Sequence, residues 1–270
     1  MVQLFFNCSM PQAGSELIQV LLHQNPEIYA SPTSPLLEYW YGARTNFESA
    51  EVRSQDPNVM RKAFMEMCRS MAFGYYDSIT DRPNVIDKSR GWSHYYEWIQ
   101  EAMMVKPKII CMIRDIRDII SHMEKVYRAN RHLASSPDSP SNLCNMTVTQ
   151  RANYWLNSQP VGLALQRTFD AIQRGIAKDM LFVRYEDLTT QPDVEMKRIY
   201  KYLGLDCFQH DYKNIEKCVF ENDTVYGPYG SHSVHGELRE FVSDYEFILG
   251  KDVSDMVYNN CEWYQKTFYN

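Results

Sequence analysis

Val2-Gln3-Leu4-Phe5-Phe6-Asn7-Cys8-Ser9-Met10-Pro11-Gln12-Ala13-Gly14-Ser15-Glu16-Leu17-Ile18 is the stretch from which the rest of the chain is read. Val2 to Asn7 has the length and apolar content of a short buried strand. Cys8 to Ser15 carries the small residues, proline and glycine of a tight turn. From Gly14 the pattern turns helical, with Leu17, Val20, Leu21 and Gln24 at i, i+3, i+4, i+7 spacing. A strand that passes through such a turn into a helix leaves backbone N–H groups unpaired. The positive end of the helix dipole faces the turn as well, and together they suit a phosphate or sulfate.

The same alternation continues outward. Strands are expected at 27–30, 84–87, 108–113 and 180–185, with Lys108 to Ile113 reading as a central strand buried on both faces. Helices are expected between them. Met60, Ala63, Phe64, Met67 and Met71 form a stripe read as a core-facing helix side, and a long helical region over 149–174 is split at Pro160. A later helix begins at Pro192 and stops at Gly204. Residues 134–146 read as a loop. Strands alternating with helices indicate an α/β fold: a P-loop-like three-layer sandwich around a central parallel sheet of about five strands. No composition break marks a second domain, so residues 1–270 read as one domain. Ligands of such sheets sit at the carboxyl ends of the strands, which brings Pro11 to Ser15, Lys88 to Arg90, Arg114 and Tyr185 to one edge.

A net charge of −6 argues against a broad nucleic-acid surface, and no run approaches the about 20 apolar residues of a membrane span. The seven cysteines form no CxxC pair and fit a reduced, cytoplasmic compartment. Oligomeric state carries no sequence signal.

Three separated motifs together resemble the sulfotransferase superfamily, in particular its microbial and tyrosylprotein-type branch. Phe6 to Ile18 looks like the 5′-phosphosulfate loop, usually Pro-Arg/Lys-Ser-Gly-Thr-Thr. Ile113-Arg114-Asp115-Ile116-Arg117-Asp118-Ile119-Ile120-Ser121 resembles the junction that holds the 3′-phosphate. Val183-Arg184-Tyr185-Glu186-Asp187-Leu188, with Pro192 and Tyr202-Leu203-Gly204, resembles the strand end and helix that follow. The resemblance covers roughly residues 2–206. It implies an enzyme that moves a sulfuryl group from 3′-phosphoadenosine 5′-phosphosulfate (PAPS) to a hydroxyl or amine, leaving adenosine 3′,5′-bisphosphate (PAP). The acceptor would be a small molecule, saccharide or peptide.

By this resemblance the donor contacts fall on Pro11, Gln12, Ala13, Gly14, Ser15, Glu16, Arg114, Tyr185 and one of Ser121 or His122. His232 and His235 lie in a stretch resembling a loop that closes over the nucleotide. The loop departs from the family pattern where it matters most. Gln12 stands in place of the basic residue, Ala13 in place of serine and Glu16 in place of the second threonine. A neutral amide donor is weaker than a charge-assisted one by about 1 kcal/mol or more. Glu16 adds a like charge near the incoming anion unless the helix turns it away.

Three readings therefore stay open. A basic residue from elsewhere, Lys88 or Arg90, replaces the missing cation; the protein binds nucleotide with weakened transfer; or a different donor is used. An acceptor hydroxyl also needs a general base. No carboxylate follows the second strand until Glu38, and Arg90 stands where cytosolic relatives carry histidine, with His94 one turn on, so Glu38 and His94 are the candidates. No metal is expected, since His-x-x-His alone is a weak zinc signal. A P-loop kinase is disfavoured because Ser15-Glu16 follows Gly14 where Lys-Ser/Thr is required.

Overall fold

The computed structural model describes residues 2–130, 143–217, 219, 221–227, 234 and 236–269. Five parallel strands, β1 (Gln3–Asn7), β2 (Ile28–Thr33), β3 (Asn84–Lys88), β4 (Ile109–Ile113) and β5 (Leu181–Arg184), form one sheet in the order β2-β3-β1-β4-β5. Every residue of β4 is buried, as are four of the five in β3. A strand whose alternate side chains are all buried must be covered on both faces, so helices flank the sheet on either side. The chain crosses from β1 to β2 and β3 on one side and reaches β4 and β5 on the other. The order therefore reverses at β1, and a crevice opens at the carboxyl ends there.

Helix α1 (Ser15–His23) follows β1, α2 (Leu36–Thr45) follows β2, and α3 (Ala50–Arg53) with α4 (Pro57–Asp77) leads to β3. Helix α5 (Tyr96–Met103) precedes β4, and α6 (Ile116–Ala129) leaves it. The split foreseen at Pro160 separates α7 (Val148–Asn157) from α8 (Val161–Gln173). After β5 come α9 (Tyr185–Thr190) and α10 (Pro192–Leu203), which ends at Gly204 with φ of 71°. Helices α11 (Tyr245–Leu249), α12 (Lys251–Asn260) and α13 (Glu262–Phe268) complete the described chain.

The sequence reading needs two corrections. β2 continues through Pro32 to Thr33, because it is an edge strand and its pairing with β3 shifts register between Ala30 and Thr33. An edge strand tolerates the absence of an N–H at proline. The buried stripe of α4 is Phe64, Cys68, Ala72 and Tyr76, whereas Met67 is 43% exposed. The stripe at i, i+4 spacing that is closed by Tyr76 wins because the Tyr76 hydroxyl reaches Asp87 at 2.5 Å. The loop foreseen at 134–146 falls largely outside the described residues.

Candidate active site

The loop after β1 is built on a buried polar chain. Asn7 Nδ2 donates to Gln19 Oε1 (3.4 Å), and Gln19 Nε2 donates to the carbonyls of Ser31 (2.8 Å) and Ile86 (3.1 Å). The Ser9 hydroxyl donates to Asn7 Oδ1 and accepts from the Met112 N–H at 3.0 Å. One set of side chains thus ties the ends of β1, β2, β3 and β4 to α1. Backbone bonds from Cys8 N to Ile110 O and Met10 N to Met112 O extend the β1–β4 pairing into the loop. The loop then turns through left-handed Gln12 (φ 57°) and Gly14 (φ 84°). Helix α1 starts with no side-chain cap, so the N–H groups of its first turn are those an anion would take.

Glycine is required at position 14 for two reasons. Its φ is positive, and a Cβ there would stand 2.5 Å from Cδ2 of Tyr185, whose ring lies over the loop. Tyr185 also flanks Arg114. The Arg114 guanidinium sits 5.0 Å from the Tyr185 ring centroid and 4.2 Å from that of Phe241, and it donates to the Gln12 carbonyl at 2.9 Å. Arg114 is 8% exposed and its Nε has no hydrogen-bond partner among the described residues. The buried Ser121 hydroxyl, on α6, also has none. Buried polar atoms without partners are rare, and guanidinium NH and serine hydroxyl groups are donors a phosphate takes. The residues present therefore fit a phosphate group.

Asp118, one turn into α6, accepts from the Ser243 hydroxyl at 2.8 Å. Burial pushes its carboxyl up to about 6, against the pull of Ser243 and Arg114. Glu186 accepts from the Asp115 N–H at 3.0 Å and so anchors the start of α6.

At the other end of the crevice, Lys88 closes β3 in register with Asn7 of β1 and Thr33 of β2. The Lys88 N–H donates to the Ser31 hydroxyl at 3.0 Å, and the neighbouring Asp87 carboxylate accepts from Trp92 Nε1 at 2.7 Å and from Tyr76. Burial raises the pKa of Asp87 above the ordinary carboxylate value despite those bonds. Lys88 Nζ lies 2.5 Å from Glu16 and 3.3 Å from Glu221, and Lys217 Nζ lies 3.5 Å from Glu16. Burial opposes the charge on Glu221, but Lys88 and the Thr33 N–H outweigh it and hold the pKa below the usual value.

A cavity of about 670 Å³ opens beside this cluster. Ser15, Glu38, Lys88, Arg90 and Glu221 line it, together with the aromatic rings of Tyr41, Tyr95 and Tyr226. The structure thus joins Lys88 directly to Glu16 in α1's first turn, and it brings Arg90 and Glu38 to the same cavity. Glu16 is not turned away, as the helix could have allowed: it is 6% exposed and faces Lys88. His94 lies elsewhere. It is half exposed, 3.8 Å from Asp170, and lines an adjoining cleft with Trp98, on the far side of Tyr41 and Tyr95, which line both. His122 is partly buried on α6, beside the fully buried Ser121. His232 and His235 fall outside the described residues. Glu221 and Phe241 had no sequence signal: both follow the region of resemblance and belong to no motif.

The sulfotransferase family model matches residues 5–210, well over half of the chain. The chain belongs to the sulfotransferase family. The fold of this sulfotransferase is also that of solved relatives. The sulfotransferase domain from the curacin biosynthetic pathway superposes with a TM-score of 0.54 at 14% identity, covering 97% of this chain and 98% of that one. A sulfotransferase from Mycobacterium avium gives 0.51 at 12% identity, covering 99% of this chain and 77% of the other. No curated protein matches the sequence significantly. Among the described residues of this sulfotransferase, no helix is long and apolar enough to cross a membrane.

Proposed function

We propose that this sulfotransferase moves a sulfuryl group from PAPS to a hydroxyl or amine of an acceptor held in the 670 Å³ cavity. The position of Lys88 carries this reading. Its ammonium touches a residue of α1's first turn, so a cation stands within side-chain reach of the anion cradle although Gln12 is neutral. The donor brings an activated sulfuryl group on a phosphate leaving group. For such transfers, positioning and charge stabilisation dominate. The loop and first turn of α1 (Pro11 to Glu16) would hold the 5′ end through backbone N–H groups, with Lys88 offsetting the charge that grows on the leaving oxygen. Arg114 and Ser121 would take the 3′-phosphate, and Tyr185 would flank the base. Glu38 lines the cavity as a candidate acceptor-side base. The aromatic lining suits a saccharide, a peptide or a small aromatic molecule. Six cysteines without disulfide partners among the described residues fit a reduced compartment such as the cytoplasm.

One observation favours a second reading, a nucleotide-binding protein of weakened activity. Lys88 is already paired with two carboxylates, Glu16 and Glu221. Thermal unfolding with PAP separates these readings from an unrelated role. A ligand at 100 times its Kd stabilises the native state by about 2.7 kcal/mol, so a clear rise in Tm is expected for wild type and little or none for Arg114→Ala. No rise in wild type would sink both readings. A rise without PAPS turnover across a broad acceptor panel would select the second.

A further inference from the structure

Glu221 reaches the anion site from far along the chain. The chain before it is fastened to the end of α1 at Asp211, whose backbone pairs with the Gln24 side chain through two bonds of 2.8 and 2.9 Å, and Ile215 and Gly236, on either side of Glu221 in the sequence, bridge to each other. At the end of β2, Glu221 Oε1 accepts the Thr33 N–H at 3.0 Å. Its other oxygen lies 3.3 Å from Lys88 and 4.0 Å from Lys217. The Glu221 side chain is 7% exposed, as is that of Glu16. Two carboxylates and two ammonium groups thus face one another at the start of α1, and the four charges cancel.

Cancellation has a consequence for an anionic ligand. A phosphate arriving at α1's first turn meets no net attraction from this cluster while both carboxylates stay. The two carboxylates are not equally held. Glu16 belongs to α1 itself, whereas Glu221 lies outside helix and strand and its carboxylate takes one backbone hydrogen bond, from Thr33. Exchanging Glu221 for the ligand's oxygen leaves Lys88 paired to an anion throughout, so no cation is stranded.

We propose that Glu221 is a displaceable internal anion: it occupies Lys88 in the free protein, and a nucleotide phosphate takes its place. This rests on the reading of the loop as the donor's 5′ seat. It makes the Glu221 contact autoinhibitory.

The test is calorimetric titration of wild type and Glu221→Gln with PAP and, separately, with inorganic pyrophosphate. Glutamine keeps an acceptor for the Thr33 N–H but loses the charge. PAP is expected to bind Glu221→Gln at least about fivefold tighter than wild type, an effect that shrinks at high salt. Equal or weaker PAP binding by the variant overturns the displacement and leaves the donor reading intact. If PAP binds neither protein while pyrophosphate still binds the variant more tightly, the displacement stands and the donor reading falls. If neither ligand binds either protein, both fall. Should Glu221→Gln fail to fold, amide exchange at Thr33 in wild type gives the answer: saturating PAP should speed it, and unchanged or slower exchange overturns the proposal.

Discussion

The ammonium of Lys88 rests 2.5 Å from the carboxylate of Glu16, the residue that stands where the family loop carries a threonine. The loop's lost cation and its gained anion are therefore linked. Position 12 has no charge to offer, and Lys88 brings one to α1's first turn from the end of β3, beside Lys217.

This arrangement predicts opposite effects for two substitutions. Lys88→Met should weaken PAP binding and lower PAPS turnover by about 10²-fold or more, the usual cost of removing a charge-stabilising donor from such a site. Gln12→Lys should raise turnover by about an order of magnitude. Release of PAP from PAPS, followed chromatographically, measures both. A Lys88→Met protein as active as wild type would remove Lys88 from the chemistry.

Gly14→Ala combines positive φ with a clash. The new methyl would meet the Tyr185 ring, 2.5 Å from Cδ2, and the backbone would be strained besides. A loss of about 2 kcal/mol or more is expected in urea unfolding, together with weaker PAP binding. Adding Tyr185→Ala should recover the part due to the clash but leave the part due to φ.

Asp118 gives a pH signature. Its folded pKa, about 6, lies above its ordinary value of 3.8, with burial as the leading cause. Ser243 and Arg114 pull the value down, and Asp115 and Glu186 push it up. The folded state therefore binds more protons than the unfolded state between those values, and this residue's contribution to stability falls as pH rises through the window. Asp118→Asn should leave stability near pH 4 unchanged and raise it above pH 7 by up to about 3 kcal/mol. Equal effects at both pH values in thermal unfolding would refute the assignment.

Glu124 is fully buried and accepts from both Arg151 (2.7 and 2.8 Å) and Arg128 (2.8 Å). Arg151 also lies against the Tyr127 ring, at 4.3 Å. Glu124→Ala should destabilise the protein by about 3–5 kcal/mol, because a buried guanidinium loses its counter-charge. Chemical denaturation with an unchanged m-value is the check. Glu124→Gln, which keeps one acceptor oxygen, should cost less.

Local pattern determined the parallel sheet, the turn into α1 and the stop at Gly204, because unbroken apolar runs, proline and glycine act on their own neighbourhood. It also placed Arg114 and Tyr185 at the ends of β4 and β5. The methionine stripe of α4 was misread because several faces of that helix carry apolar residues, and only the partner across the interface chooses among them. The direction of Glu16 and the arrival of Glu221 and Phe241 were equally invisible. A side chain's charge partner depends on which strand end lies beside it, and the sheet order β2-β3-β1-β4-β5 sets that. Sequence alone marked Gln12 as a cradle without its cation. The folding of β3 next to β1 brought Lys88 to the cradle, and the fold brought Glu16 and Glu221 to hold it there.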